Sequence, residues 1–232
     1  MAKKTHENVN VEYTEVKPSK DPIKQAEKFL EKNQKPIIGI IAAIVLGVGG
    51  YFGYKNLIEK PKEEKASAAL FPAERAFEKD SFNLVLNGDG VNGGALSVIK
   101  KYNGTKAANL AHYYAGMSYL KTGDFANAIK ELEKFKGEKT PFEYLAYGAL
   151  GDAYMESNNV AKGIEFYKKA AQNTDDNFIS PLFLFRAGLA SEKNGKTEDA
   201  IKFYKEVKQK YPYSQQARDI DKYLARLGDI EL

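Results

Sequence analysis

The chain of 232 residues is 43% hydrophobic and 28% charged, a composition that excludes a disordered or a collagen-like protein. Its 35 Lys and Arg against 31 Asp and Glu give a formal net charge of +4, which is too balanced for a dedicated nucleic-acid binder. The absence of cysteine excludes disulfides, Cys-ligated zinc, iron–sulfur clusters and thiol nucleophiles, and two histidines leave little material for metal binding or His-based catalysis.

The first 35 residues divide into a tail and a helix. Residues 1–20 are polar, mixed in charge and without a periodic pattern, which predicts a disordered tail. Asp21 and Pro22 then form a strong helix start. Over 21–35 an apolar stripe lies on the side of the helix opposite to a charged face rich in lysine. The stripe consists of Ile23, Ala26, Phe29 and Leu30. This pattern predicts an amphipathic helix in the membrane interface, with docking onto a cytosolic partner as the alternative.

An uncharged apolar run of eighteen residues extends from Ile37 to Tyr54. As a helix it would cover roughly 27 Å, enough for a bilayer core, so we expect a transmembrane helix over 36–58. A buried core helix would carry polar residues every few positions, and a cleaved signal peptide would have a shorter apolar segment nearer the start. No second run of this kind occurs, which predicts a single-pass protein that one helix anchors in the lipid bilayer.

The orientation of the span is less marked in the sequence. The fifteen residues on either side of it each hold four lysines, so the local charges are equal. The whole N-terminal segment is short and holds eight lysines, however, while the C-terminal part is a long domain whose charges count little for topology. This favours a cytoplasmic N-terminus and a C-terminal domain on the opposite side.

Small residues recur on one face of the predicted span. Gly39, Ala43, Gly47 and Gly50 follow one another at intervals of four, four and three residues. Small side chains at this spacing allow a second membrane helix to approach closely, which predicts a helix-packing face. The alternative is that glycine is simply common in membrane helices.

The remainder of the chain contains a repeat. Residues 59–106 predict a linker helix and a degenerate repeat, 107–213 contain three similar copies, and 214–232 predict a capping helix. In the copies, Gly116, Gly151 and Gly188 recur after 35 and 37 residues, at positions where two antiparallel helices would cross. Small residues also recur where the second helix meets the first, at Ala128, Gly163 and Ala200, and left-handed helix ends are expected at Gly123, Asn158 and Gly195.

This pattern resembles the tetratricopeptide repeat, although the third copy has Ser191 where the pattern expects Tyr, which should weaken packing there. The fold class implied is all-α, a single N-terminal transmembrane helix followed by a tetratricopeptide-repeat α-solenoid. Stacked helix pairs of this kind form a groove lined by the first helix of each pair. Helical spacing places the following residues on that groove: Leu110, Tyr113, Met117, Leu120, Leu145, Gly148, Asp152, Met155, Leu182, Phe185, Leu189 and Glu192.

The predicted groove is mostly apolar and holds two methionines, which suits an apolar peptide or partner helix. The alternative for each groove residue is burial by the neighbouring repeat. The groove also lacks the Lys and Asn pattern with which some tetratricopeptide domains bind a chaperone's C-terminal carboxylate.

No motif in the chain predicts catalysis. Gly88, Gly90 and Gly93 have the spacing of a dinucleotide-binding loop, but no βαβ unit surrounds them, so we interpret 82–102 as containing a flexible loop between helices. Zinc-protease, Walker and nucleophile-elbow motifs are absent from the sequence, and His112 lies among tyrosines on a predicted helix. We therefore expect no catalytic residue, cofactor or metal, and a protein that is not an enzyme.

A more specific resemblance concerns the order of the segments. The stretch from Phe29 to Asn33, the glycine-rich span, and the run Gly-Thr-Lys-Ala-x-x-Leu-Ala at 104–111 resemble the YfgM-like family of bacterial inner-membrane proteins, in particular members from Bacteroidetes-type bacteria. These are ancillary subunits of the Sec translocon. The resemblance implies a bacterial inner-membrane location with a periplasmic domain, association with SecYEG, and a membrane-anchored periplasmic chaperone of the peptidyl-prolyl isomerase type as partner.

Two functional hypotheses follow from these patterns. The first is a chaperone-like or scaffolding subunit at the translocon, whose groove holds a partner or an exported polypeptide. The second is a cell-envelope assembly scaffold that uses its repeats for partners unrelated to export. An outer-membrane lipoprotein would need a lipobox cysteine, so both hypotheses require the inner membrane.

Overall fold

The computed structural model describes residues 21–172 and 176–230, and the tail predicted over 1–20 lies outside them. The described residues form helices joined by short loops; they contain no β-strand, only an isolated bridge between Gly88 and Gly93. The predicted all-α fold class is therefore confirmed. The chain divides into two compact units, Met1–Lys55 and Asn56–Leu232.

The first unit contains helices α1 (Pro22–Lys32) and α2 (Gln34–Tyr54), which are separated by Asn33. The side-chain amide of Asn33 donates a hydrogen bond of 2.8 Å to the carbonyl oxygen of Phe29, and its own carbonyl accepts from the N–H of Ile37. The backbone N–H of Asn33 also donates to the Phe29 carbonyl, at 3.1 Å, so the side chain adds a second hydrogen bond where α1 ends, and the Asn33 carbonyl begins α2.

Neither helix of the first unit buries any residue. Phe29 in α1 is 64% exposed and Leu46 in α2 is 75% exposed, although both are apolar. By length and composition, the part of the chain that the structure describes has one helical stretch able to cross a membrane, within Gln34–Phe77. Its apolar window is wholly unburied, unlike the core helix of a soluble domain.

The second unit begins with a π-helical turn that overlaps the boundary, Lys55–Glu59, and continues with helices of unequal length. The first three are α3 (Lys60–Phe77), α4 (Phe82–Asn87) and α5 (Ala95–Lys101). Three helix pairs follow: α6 (Lys106–Thr122) with α7 (Phe125–Leu132), α8 (Pro141–Glu156) with α9 (Val160–Ala170), and α10 (Ile179–Lys193) with α11 (Thr197–Lys210). A 3₁₀ turn (Gln216–Asp219) and α12 (Ile220–Arg226) complete the unit.

Three glycines allow the helices of each pair to cross closely. A Cβ atom built on Gly116 would lie 2.5 Å from Cγ of Leu132, and one built on Gly151 or Gly188 would lie within 3.0 Å of the ring of Tyr167 or Tyr204. In all three pairs the contacted residue lies sixteen positions after the glycine, on the second helix. The prediction that these glycines mark the helix crossings is confirmed.

The turn inside each pair also follows the predicted pattern. Gly123, Asn158 and Gly195 have φ angles of 84°, 57° and 71°, the left-handed conformation that ends a helix. The next residue in the first two pairs is Asp124 or Asn159, whose side chain accepts a hydrogen bond from the backbone N–H three positions later. Helix end and helix start are therefore fixed by consecutive residues.

Buried side chains form three clusters along the second unit. The first lies among α3 to α6, the second between α6 and α8, and the third among α9 to α12. Their largest fully buried members are Leu70, Val85, Val98, Leu132, Tyr204, Val207 and Ile220. Because each cluster joins neighbouring helix pairs, the stability of the stack depends on nearest-neighbour contacts.

The segment before the first clear pair differs from a full repeat. α4 and α5 have six and seven residues, and the loop Gly88–Gly94 joins them. The loop that we predicted as flexible is closed by hydrogen bonds, since Oδ1 of Asp89 accepts from the N–H groups of Val91 and Asn92 at 2.9 and 2.6 Å. The helices on either side of this loop are not part of a βαβ unit.

Candidate partner-binding surface

The residues predicted to line the groove lie on the first helices α6, α8 and α10, but they differ in exposure. Leu189 is exposed, at 37%, while Tyr113 and Gly148 are buried. The other residues of the set are half-buried: Leu110, Met117, Leu120, Leu145, Asp152, Met155, Leu182, Phe185 and Glu192. Their outer atoms are the part of this surface that a partner can reach.

The apolar members contribute to the core as well as to the surface. Leu110, Met117, Leu120 and Leu145 pack against the cluster between α6 and α8, and Met155, Leu182 and Phe185 pack against the cluster of α9 to α12. Tyr113 is enclosed by rings, with centroids 5.3 Å from Phe135 and 5.4 Å from Phe142. Tyr113 and Gly148 are therefore buried by a neighbouring repeat, which was the alternative to exposure on the groove.

Asp152 joins two successive repeats. Its Oδ1 accepts hydrogen bonds from the hydroxyl of Tyr167 at 2.6 Å and from Nη1 of Arg186 at 2.7 Å, and its Oδ2 accepts from the same nitrogen at 2.7 Å. Burial, then the hydrogen bond to Asp152, raises the pKa of Tyr167, so this hydroxyl stays a donor at neutral pH.

Glu192 forms the same kind of link one repeat later. Its Oε2 accepts hydrogen bonds from the hydroxyl of Tyr204 at 2.9 Å and from Nη2 of Arg226 at 2.7 Å. Burial, then the hydrogen bond to Glu192, raises the pKa of Tyr204. In both links a carboxylate on a first helix binds the tyrosine of its own pair and an arginine further along the chain.

The arginines of these links were missed by sequence reasoning, although the spacing contained a usable signal. Arg186 follows Asp152, and Arg226 follows Glu192, by 34 residues. This interval is close to the repeat length, so acid and arginine lie side by side on neighbouring units. The first pair has Leu132 in place of the tyrosine, with apolar Met117 and Leu120 on the facing helix, and so lacks this link.

Asp152→Ala tests how much the link stabilises the stack. The substitution leaves the hydroxyl of Tyr167 without its acceptor, and we expect a loss of about 1–2 kcal/mol in the free energy of unfolding. The ion pair itself adds little, because Asp152 and Arg186 are 34% and 38% exposed. The matched variant Asp152→Asn keeps an acceptor oxygen and should lose less than half as much in chemical denaturation; equal losses would instead assign the effect to the charge.

A second polar cluster lies between α6 and α7. Nδ1 of His112 is 2.7 Å from Oε2 of Glu131, and Nζ of Lys134 is 3.1 Å from Oε1. Burial raises the pKa of the Glu131 carboxyl, but the hydrogen bonds from His112 and Lys134 outweigh it and the net pKa is lowered. Among residues 21–172 and 176–230 no group of three His, Asp or Glu side chains is placed to hold a metal ion.

The small residues of α2 have open space beside them. Among the described residues, no atom lies within 4 Å of a Cβ atom built on Gly39, Gly47 or Gly50, and Ala43 is exposed on the same helix. Their spacing of four, four and three residues places them within one stripe on the helix. That stripe and the first-helix surface are two places where the sequence predicts partners, and α1 is a third if it docks onto a cytosolic partner instead of lying in the membrane interface.

A model of a known protein family matches most of the chain. The family model of the tetratricopeptide repeat-like domain matches residues 27–222, a range that includes α2 as well as the three helix pairs. No curated protein matches the chain. Tetratricopeptide-like repeats are stacks of helix pairs that provide extended surfaces for binding other proteins. With its three glycine-crossed helix pairs and this match, the chain belongs to the tetratricopeptide repeat-like domain family.

Proposed function

We propose that this protein is a single-pass bacterial inner-membrane scaffold whose periplasmic repeat domain serves the Sec translocon as an ancillary, chaperone-like subunit. The observation that carries the proposal is the extent of the family match, which spans the apolar helix together with the repeats. A membrane helix joined to a protein-binding stack suits a subunit that holds partners beside a membrane channel. The assignment to the translocon rests on the resemblance of segments 29–33 and 104–111 described above.

Each predicted partner has a surface of suitable chemistry. The stripe of small residues on α2 suits a membrane helix of SecYEG, because small side chains let helix backbones approach. The accessible parts of Met117, Met155 and Leu189 suit an apolar segment of the isomerase-type chaperone or of an exported polypeptide. Asp152 and Glu192 are already bound to arginines, so the partner need not be cationic.

Site-specific photo-cross-linking in intact membranes tests both surfaces. A photoreactive residue at Ala43 should form cross-links to a SecYEG subunit, whereas one at Ile41 points to the opposite side of α2 and should form few. At Leu189, the exposed position of the predicted groove, we expect cross-links to the periplasmic chaperone. Lys202, an exposed residue on the second helix α11 of the same pair, is the matched control and should form few.

The outcomes separate the two functional hypotheses. Cross-links to SecYEG from Ala43 support the translocon assignment. Cross-links only to other envelope proteins favour the assembly scaffold, which keeps the membrane anchor and the repeats but not export. If Ala43 and Ile41 react equally, the stripe is not a packing face and the proposed lateral contact is wrong.

A further inference from the structure

Exposed aromatic side chains recur at one end of the repeat stack. Phe142, Phe178 and Tyr213 are 44%, 84% and 96% exposed. They are separated by 36 and 35 residues: Phe142 lies at the start of α8, Phe178 just before α10, and Tyr213 in the loop after α11. Rings this exposed, repeated with the period of the fold, indicate a surface that contacts something other than water.

Contacts between neighbouring pairs show that these loops share one edge of the second unit. The side chain of Asn109, in the first turn of α6, exchanges two hydrogen bonds of 2.9 Å with the backbone of Lys136, in the loop before α8. A Cβ atom on Gly148 would meet the ring of Phe183, so the first helices α8 and α10 also pack on each other. We call this end, with the loops 102–106, 136–142, 176–178 and 211–215, the loop edge.

The chain enters the second unit at the same edge. Nζ of Lys62 donates a hydrogen bond of 2.7 Å to the carbonyl oxygen of Asn103, and the carboxylate of Glu63 accepts from the N–H groups of Lys106 and Ala107 at 2.7 and 2.8 Å. Lys62 is seven residues after Lys55, where the first unit ends. A connection of this length reaches at most about 25 Å, so the chain length allows the loop edge to contact a membrane that α2 crosses.

The chemistry of the loop edge matches that of a lipid headgroup layer. Aromatic rings settle in the interfacial zone of a bilayer, and lysines are attracted to anionic headgroups. Lys136 and Lys139 are exposed in the loop that leads to Phe142, and Lys106 is exposed at the end of the neighbouring loop 102–106. Glu63 is already engaged by backbone N–H groups, which leaves Glu138 as the acidic side chain of the loop that holds Lys136 and Lys139.

We infer that the loop edge docks on the headgroup surface of the leaflet from which α2 emerges, with Phe178 and Tyr213 inserted among the lipids. The inference rests on the proposed membrane anchoring and adds a second, peripheral contact between the repeats and the bilayer. This contact fixes which end of the stack faces the membrane, and the opposite ends of α6, α8 and α10 point away from it.

Tryptophan fluorescence tests the docking, since the chain has no Trp of its own. Phe178→Trp and Tyr213→Trp place a probe on the loop edge, and Lys193→Trp places one at the other end of α10, about 21 Å from its start. The full chain is reconstituted into vesicles of neutral and anionic phospholipids with brominated acyl chains. We expect the emission of the two edge probes to be quenched about twofold, and that of Lys193→Trp to be unchanged.

Three outcomes decide the inference. Equal quenching at both ends of α10, or none at Phe178→Trp, overturns it. A blue shift of Phe178→Trp that appears only when membrane proteins are reconstituted with the lipids also overturns it, because it assigns the edge to a protein partner. Flotation of the vesicles after a urea wash is scored in parallel: a chain that does not float refutes the membrane anchor itself, whereas a floating chain with unquenched edge probes refutes only the docking.

Discussion

Gly188→Val is expected to lower the free energy of unfolding by about 3 kcal/mol, which corresponds to a fall in Tm of roughly 6–12 °C. Any Cβ at this position would lie within 3.0 Å of three ring atoms of Tyr204, and that ring is fully buried. The ring cannot turn aside without cost, because its hydroxyl is bound by Glu192. The two helices of the third pair must then separate.

The loss can be measured by thermal unfolding of the detergent-solubilised protein, followed by circular dichroism. Lys193→Val, at an exposed position of the same helix, controls for the helix propensity of valine and should cost about 0.5 kcal/mol. In the background Tyr204→Ala, which removes the ring, Gly188→Val should cost far less than in the native chain. Equal costs in the two backgrounds would show that the glycine is not a crossing point.

The repeat pairs could be predicted from the sequence because their determinants are local and periodic. Gly116, Gly151 and Gly188 each sit at a crossing, and Gly123 and Asn158 each adopt the left-handed turn that their residue types favour. These positions depend on contacts within one helix pair, and the same spacing appears three times. Each copy of the repeat therefore supports the assignment of the other two copies.

The candidate surface was harder to predict, because exposure depends on how one pair lies against the next. Tyr113 and Phe185 each lie three residues before the glycine of their first helix, yet Tyr113 is 6% exposed whereas Phe185 is only half-buried. Tyr113 is covered by Phe135 and Phe142, which helical periodicity within α6 does not include. The buried hydroxyls of Ser118 and Ser191, which have no hydrogen-bond partner among the described residues, were likewise invisible in the sequence.

Alkaline pH is expected to unfold the repeat domain through its buried tyrosines. Burial raises the pKa of Tyr113 to about 12, and burial with the hydrogen bond to Glu133 raises that of Tyr154 to about 12. The pKa values of Tyr167 and Tyr204 are raised as well. In the unfolded chain these hydroxyls ionise near a pKa of about 10.

The sign of the effect follows from which state binds the proton more tightly. Because the folded state keeps its tyrosines protonated to higher pH, their contribution to stability is complete below about pH 10 and is lost as the pH rises towards about 12. Denaturant unfolding at increasing pH should therefore show a steep fall in stability above about pH 10, together with the appearance of tyrosinate absorbance. A fall that begins well below this range would point to other groups.

Phenylalanine variants separate the tyrosines from the lysines, which lose their charge in the same range. Tyr113→Phe keeps the ring that packs between Phe135 and Phe142 but has no proton to lose, so its stability should fall less steeply between about pH 10 and pH 12. Tyr213→Phe alters a side chain that is 96% exposed and should leave the alkaline transition where it is. If the two variants behave alike, ionisation of Tyr113 does not drive the unfolding, and the same substitution at Tyr154, Tyr167 and Tyr204 then separates the remaining tyrosines from the surface lysines.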